Sequence, residues 1–316
     1  MVVPYVDAHC HVTTSMKADH NEFSTLPETP SVQCVMSNNS YDWQRVKTLP
    51  RQDTNTKIGF GVHPWYSHLY YLGEKDNKPA KEPHYNSVLQ GPNAEELGHI
   101  ISRLPEPINL HEYIRTEFSA TNCDCIGEIG LDKLFRLPEN GFYQGDDRAP
   151  LSRVKVSMNH QAQVFTEMCN LAAANSLPVS IHCVKSPNLV FELSKQHLLP
   201  HPGVNLCLHS FTGSVETLTD SWLKTFPKER FFLSLSSYIN FKNDDTAAKL
   251  LQTLPKHCIL TETDFTWDTA DAKHIIHELD LILSRVATQH NLKSSDEAKK
   301  LVCDNFQRFM PKSFRL

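Results

Sequence analysis

Seven side chains of the kinds that hold divalent ions stand at the ends of apolar runs in this sequence: His9, His11, His63, Glu128, His182, His209 and Asp264. Imidazole nitrogens and carboxylate oxygens are ordinary metal donors. The first two are announced by spacing. Val2, Val3, Tyr5 and Val6 lead into Asp7, Ala8, His9, Cys10 and His11, an apolar run entering a polar cluster, which reads as a buried strand reaching its C-terminal end. Strand side chains alternate faces, so His9 and His11 point the same way and two imidazoles can meet one ion. In a chain with 17 histidines an isolated H-x-H is as readily a packed or surface pair. The case therefore rests on where the other five fall.

The elements that must position them are apolar strands followed by helices. After the first strand, strands are predicted over 32–36, 57–62, 124–128, 178–181, 204–208, 231–235 and 258–260. Helices are predicted over 41–48, 93–104, 153–175, 189–197, 213–225, 246–254 and 272–289. The clearest is 153–175, where Val156, Val164, Phe165, Met168, Leu171 and Ala172 form most of one apolar stripe. Residues 12–30, closed by Pro27 and Pro30, read as a loop or short irregular helix. Residues 66–92 and 133–152 read as polar insertions, the second resembling a lid. In the first, Lys75, Lys78 and Lys81 beside Tyr66, Tyr70 and Tyr71 could follow a phosphate backbone and stack on bases, but a solvated insertion is the simpler reading.

Eight strands alternating with helices predict an α/β fold, a somewhat irregular (β/α)8 TIM-type barrel spanning 1–316 as one unit with insertions at 66–92 and 133–152. A doubly wound sheet would bring a glycine-rich phosphate loop after the first strand, and none is there. Each of the seven residues lies at or just past a predicted strand end. In a closed barrel those ends converge on one mouth, where active sites of this architecture sit. Any one histidine is more often a satisfied core or surface residue; seven at one mouth point to a metal site.

Composition bounds the rest. Hydrophobic content of 40% and charged content of 21% are those of a globular protein, and no run approaches a membrane span. No basic, then apolar, then small-residue leader is visible, which places the protein in the cytoplasm, with the nucleus as the alternative. Nine cysteines, mostly within apolar segments such as those of Cys34, Cys169, Cys183, Cys207 and Cys258, read as reduced core thiols. Cys123 and Cys125 form C-x-C, not the C-x-x-C spacing of a zinc or redox site. With a net charge of −5, no global basic field draws the chain onto nucleic acid, so local charge must hold an anionic substrate.

The motifs D-A-H-C-H (7–11), G-V-H-P (61–64), G-E-I-G-L-D (127–132), Ile181 with His182, H-S-F-T-G (209–213), E-T-D (262–264) and N-F-Q-R-F (305–309) occur in order along nearly the whole chain. With Gln161, Phe165 and the Leu177, Pro178, Val179 approach to His182, they resemble the TatD-type metal-dependent deoxyribonucleases, a family with an amidohydrolase-like barrel. The resemblance implies two divalent ions, Mg, Mn or Zn: His9, His11 and Asp264 on one, His182 and His209 on the second, Glu128 bridging. It implies that His63 binds substrate rather than metal. Where the family usually has Ser-Arg-Asp after the strand-five histidine, this chain has Cys183, Val184 and Lys185. Lys185 would meet substrate phosphate as a point charge without the bidentate fork of arginine. Phe265 and Thr266 replace the usual small residue and proline after Asp264.

Two carboxylates against two divalent ions leave a positive centre suited to a phosphodiester oxygen. Such a centre can lower the pKa of a water from 15.7 toward about 7 and stabilise the leaving oxygen, with Glu128 and Asp264 as the catalytic carboxylates and Asp264 accepting the proton. The leading expectation is a deoxyribonuclease acting on DNA, from single-stranded ends. The same barrel also hosts hydrolases of small esters, amides or lactones, and binding proteins that keep the metal and take a protein partner.

Overall fold

The computed structural model describes residues 3–13, 31–50, 55–141, 149–268 and 270–312. Eight strands form one parallel sheet: β1 (Tyr5–Cys10), β2 (Ser31–Met36), β3 (Thr56–Phe60), β4 (Cys125–Asp132), β5 (Val179–Val184), β6 (Leu206–Leu208), β7 (Phe231–Ser236) and β8 (Ile259–Glu262). Sheet order follows chain order, and helices cover the outside. Both faces are therefore packed, which is why the strands read as short apolar runs rather than alternating ones. This is the (β/α)8 barrel that the strand–helix alternation predicts.

The seam between β8 and β1 runs through residues named above for chemistry. Asp264 N–H donates to His9 O at 3.0 Å, His11 N–H to Phe265 O at 2.8 Å, and Trp267 N–H to His11 O at 3.0 Å. Just below, buried Asp7 accepts from Thr263 N–H at 2.9 Å and Thr263 Oγ1 at 2.7 Å. Closing the barrel and aligning His9, His11 and Asp264 are thus one event. Phe265 and Thr266, the departures from the family pattern, serve as backbone in that seam.

The helices predicted over 41–48, 93–104, 189–197, 246–254 and 272–289 are observed within two residues at either end. The helix predicted over 153–175 begins only at Met158, because Lys155–Val156 pairs antiparallel with Leu89–Gln90. The insertion over 66–92 is not structureless. A 3-10 turn (Pro64–Leu69) leads to Tyr70–Tyr71, which pairs parallel with Ile108–Asn109, and a helix follows over Lys81–Val88. Tyr66, Tyr70 and Tyr71 are buried, so they offer no face to a base. Lys75 and Lys78 pair with Glu112 and Glu106, and Lys81 donates to Ser102 O. The segment is thus part solvated, part packed against the barrel, and its lysines and tyrosines are engaged within the fold. Of the predicted lid, Pro138 bridges Leu151 and 142–148 lie outside the described residues, as do 14–30 of the first loop.

Besides Lys81–Val88, the helices Leu110–Glu117 and Ser295–Phe309 escaped the pattern, so 272–289 is not the last. The latter carries N-F-Q-R-F. Asn305 is buried and donates to Lys256 O (2.8 Å) and Ile259 O (2.7 Å), pinning the entry of β8, while Phe306 and Phe309 enter the core.

β4 is longer than its predicted 124–128, because Ile129 and Leu131 continue the ladder to β5 through Asp132. Glu128 consequently sits mid-strand, where the register shifts between Ile126 and Ile129. The chain there passes so close to Gly61 that a Cβ on Gly61 would lie 2.4 Å from Gly127 C and 2.5 Å from Glu128 N. Gly61→Ala must therefore push these two backbones apart. We expect it to cost about 1–3 kcal/mol in denaturant unfolding, and a midpoint equal to wild type would show that the close approach is not rigid.

Candidate metal centre

Glu128 is the hub. Its side chain is 4% exposed, and its two oxygens face different sets of imidazoles. Oε2 lies 3.3 Å from His9 Nε2 and 3.4 Å from His11 Nε2. Oε1 lies 2.7 Å from His209 Nε2, 2.8 Å from His182 Nδ1 and 3.2 Å from His63 Nε2. Asp264 Oδ1 completes the first set, 3.4 Å from His11 Nε2 and 3.8 Å from His9 Nε2. The structure brings together six of the predicted ligand positions and His63. Lys185 stands apart, exposed just past the end of β5.

Two of the five histidines, His9 and His11, are hydrogen-bonded from behind at the nitrogen facing away from the centre, and two more, His182 and His209, face a carboxylate there at ion-pair distance without a hydrogen bond. His9 Nδ1 meets Ser180 Oγ at 2.8 Å and His11 Nδ1 meets Met36 O at 3.2 Å. His182 Nε2 faces Asp132 Oδ2 at 3.5 Å, and His209 Nδ1 faces Glu262 Oε1 at 3.6 Å. Each of these partners can take an N–H, leaving the inward nitrogen with its lone pair, the pattern of metal-binding histidines. His9 Nε2 is buried and has no hydrogen-bond partner of its own, as a waiting donor should. His63 is the exception. Its Nδ1 accepts the Trp65 N–H at 3.2 Å, so in the neutral ring the proton sits on Nε2, which then donates toward Glu128, while the ring also stands within ligand reach of Glu128 and His182.

Asp132 and Glu262 lie within the motifs, and the sequence reading gave them no role. Asp132 lies four residues beyond Glu128 on the same strand and Glu262 ends β8 two residues before Asp264, even spacings visible in the sequence. Asp132 is fixed by Trp65 Nε1 at 2.7 Å and by the Leu134 and Phe135 N–H groups at 2.8 and 2.9 Å. Glu262 also lies within ligand reach of His9 and His209. Its oxygens are already occupied by Ser210 N–H (2.7 Å), Ser210 Oγ (2.6 Å) and Ser234 Oγ, so it acts as a support for His209.

The backbone is strained at the same place. Asp264 (φ 59°), Ser210 (φ 41°) and Lys185 (φ 53°) are non-glycine residues in the left-handed region, all immediately beyond strand ends at the mouth.

Burial alone would raise the Glu128 carboxyl, but His63, His209, His9 and the hydrogen bond from His182 together hold it well below the usual range. Burial alone would lower His11, yet Asp264 and Glu128 outweigh it and lift the imidazole to about 9. His63 goes the other way, pushed by burial to about 4, and is neutral at pH 7.

A model of the TatD related DNase family matches residues 6–311. The chain belongs to the TatD family. Among its relatives, the uncharacterized deoxyribonuclease YMR262W of Saccharomyces cerevisiae is 44% identical over 96% of this chain and 98% of its own length. The Cut9-interacting protein scn1 of Schizosaccharomyces pombe is 30% identical over 82% of this chain and 86% of its own. The fold matches that of YJJV, a TatD homolog from Escherichia coli, with a TM-score of 0.60 at 17% identity, covering 98% of this chain and 99% of the other. This TatD-family protein is thus a hydrolase by family, with clustered donors that fit metal ions. Among the described residues no helix is long and apolar enough to cross a membrane.

The donor chemistry yields a pH dependence. Without an ion, His11 keeps its proton up to about pH 9, and a ligand imidazole must be neutral, so binding releases that proton. Apparent affinity for Mn or Zn should rise as pH increases from 6 toward 9, by up to about tenfold per unit for each proton displaced. Calorimetric titration in buffers of different ionisation enthalpy would check it. PH-independent affinity with no proton release would remove His11 from the ligand set.

Proposed function

We propose that this protein is a metal-dependent deoxyribonuclease that hydrolyses phosphodiester bonds of DNA, acting on single-stranded ends in a reducing intracellular compartment. The observation that carries it is the division of Glu128 between two donor sets: Oε2 with His9, His11 and Asp264, and Oε1 with His182 and His209. A carboxylate so placed suits two divalent ions side by side, one in each set. Bound there, such ions would supply the positive potential for a phosphate oxygen and the acidification of a water.

The chain's own groups do the rest. Asp264 has a 31% exposed side chain against 4% for Glu128, so it is the site carboxylate that meets entering solvent and can accept the proton of the attacking water. His63 holds a proton on Nε2 and stays neutral, which suits it to donate to a substrate oxygen without adding charge. Asp132 and Glu262 keep His182 and His209 in the tautomer that faces inward. Lys185, at the rim, offers a point charge to a neighbouring phosphate.

The name of the fission-yeast relative favours a second reading, in which the metal centre is retained in a protein that works through a protein partner. An assay of end-labelled single-stranded DNA with metal-stripped protein refilled with Mg, Mn or Zn separates the two. Cutting restored by metal supports the nuclease; no cutting by protein that still binds metal supports the second reading. Glu128→Ala and Asp264→Ala should each lose at least roughly a hundredfold in kcat. Lys185→Ala should raise KM more than it lowers kcat, and equal losses in kcat and kcat/KM would place the lysine in the transition state instead.

A further inference from the structure

Exposed apolar side chains are concentrated at the mouth. Tyr41, Leu134, Leu189 and Tyr238 each lie within ten residues of the C-terminal end of a barrel strand. Two groups among the mouth residues are aromatic platforms. Phe135, just past β4, is half-buried and stacks on Trp65, just past β3, with ring centres 5.0 Å apart and planes 13° from parallel. Trp65 is itself locked to the site, its Nε1 on Asp132 and its ring edge-on to His63 at 4.9 Å. Tyr238 follows β7 in a short helical turn (Ser237–Asn240) and is 66% exposed. Its turn is tied to the His209 loop, since Asn240 Nδ2 donates to Phe211 O at 2.9 Å and Asn240 Oδ1 accepts the Ser236 N–H at 2.9 Å. Lys242 places its ammonium 4.5 Å from the centre of the Tyr238 ring.

Counted round the sheet, β3 lies opposite β7 and β4 beside β3, so the two platforms come from different sides of the mouth. Aromatic faces beside a cation, repeated along a track, suit the alternating base and phosphate of a single strand. We propose that the substrate is a single-stranded nucleic acid gripped on both sides of the scissile phosphate, one base on Phe135 backed by Trp65 and another on Tyr238, with Lys242 on the adjoining phosphate. This rests on the nuclease reading. It goes further in making Phe135 and Tyr238 specificity-determining residues and in requiring nucleotides on each side of the cut.

The test compares KM and kcat of the metal-loaded protein on a single-stranded 12-mer and on versions with an abasic site placed successively on either side of the cut. Tyr238→Ala should raise KM roughly tenfold, the scale of one lost base stack, with little change in kcat. The effect should vanish on the oligonucleotide lacking the base that Tyr238 holds, and Tyr238→Phe should keep the wild-type KM. Phe135→Leu, which preserves apolar packing on Trp65, should behave likewise toward an abasic site on the other side. Unchanged KM in Tyr238→Ala and Phe135→Leu, with wild type cutting normally, would overturn the platforms alone. An equal KM rise on abasic and intact strands would overturn them too, because the rings would then be touching something other than bases. A wild type that cuts no single strand with any ion would overturn this inference together with the nuclease reading.

Discussion

One buried carboxylate within reach of five imidazoles is the constraint on which this structure turns. A lone carboxylate at the depth of Glu128 would be neutralised by protonation, because desolvation disfavours its charge. It stays ionised because His63, His209, His9 and His182 face it. The arrangement is costly in the absence of ions, since the carboxylates then hold His11, His182 and His209 above their ordinary range close together, while burial and the neighbouring His209, which stacks on it at 3.9 Å, push His9 down. Divalent ions in the same space would replace those protons and satisfy the same oxygens. The same donors that now hydrogen-bond to Glu128 are of the kinds that fit cations.

That surrounding structure joins stability to chemistry. The barrel is closed by bonds made through His9, His11, Asp264 and their neighbours, and the outward nitrogens of the ligands are anchored on strands β2, β4, β5 and β8 through Met36 O, Asp132, Ser180 and Glu262. Three left-handed non-glycine residues sit at the same mouth, a cost that a well-packed barrel underneath can carry. A change in any of the anchors would be felt first in the orientation of an imidazole, since the buried strands beneath have little room to move.

The long segment after His63 illustrates how a polar stretch can be structural. Its three tyrosines are buried and its lysines are engaged with Glu112, Glu106 and a helix carbonyl. It braces the wall that carries Trp65. The residues proposed to meet a nucleic acid lie instead at the rim, where Phe135 and Tyr238 are far apart in sequence and carry no shared motif.

The sequence by itself determined the barrel and which candidate donors stand at its mouth, while their assignment as ligands came only from the family resemblance. Short buried strands and the helices between them leave a local periodicity, and a ligand placed at a strand end has a local address. His9 and His11 could be paired from their spacing of two, and the E-T-D and G-E-I-G-L-D motifs named the carboxylates. The helices over Lys81–Val88 and Leu110–Glu117 were not legible, because their burial depends on partners supplied by a distant part of the chain. Nor was the full length of β4, whose continuation past Glu128 is set by its pairing with β5. Only the tertiary structure decided how the donors divide between the two oxygens of Glu128, that His63 is a donor because Trp65 N–H takes its other nitrogen, and that Asp132 and Glu262 stand behind His182 and His209. Most of these are relations between atoms brought together from different strands, where distance and direction, and not residue type, determine which group holds the proton.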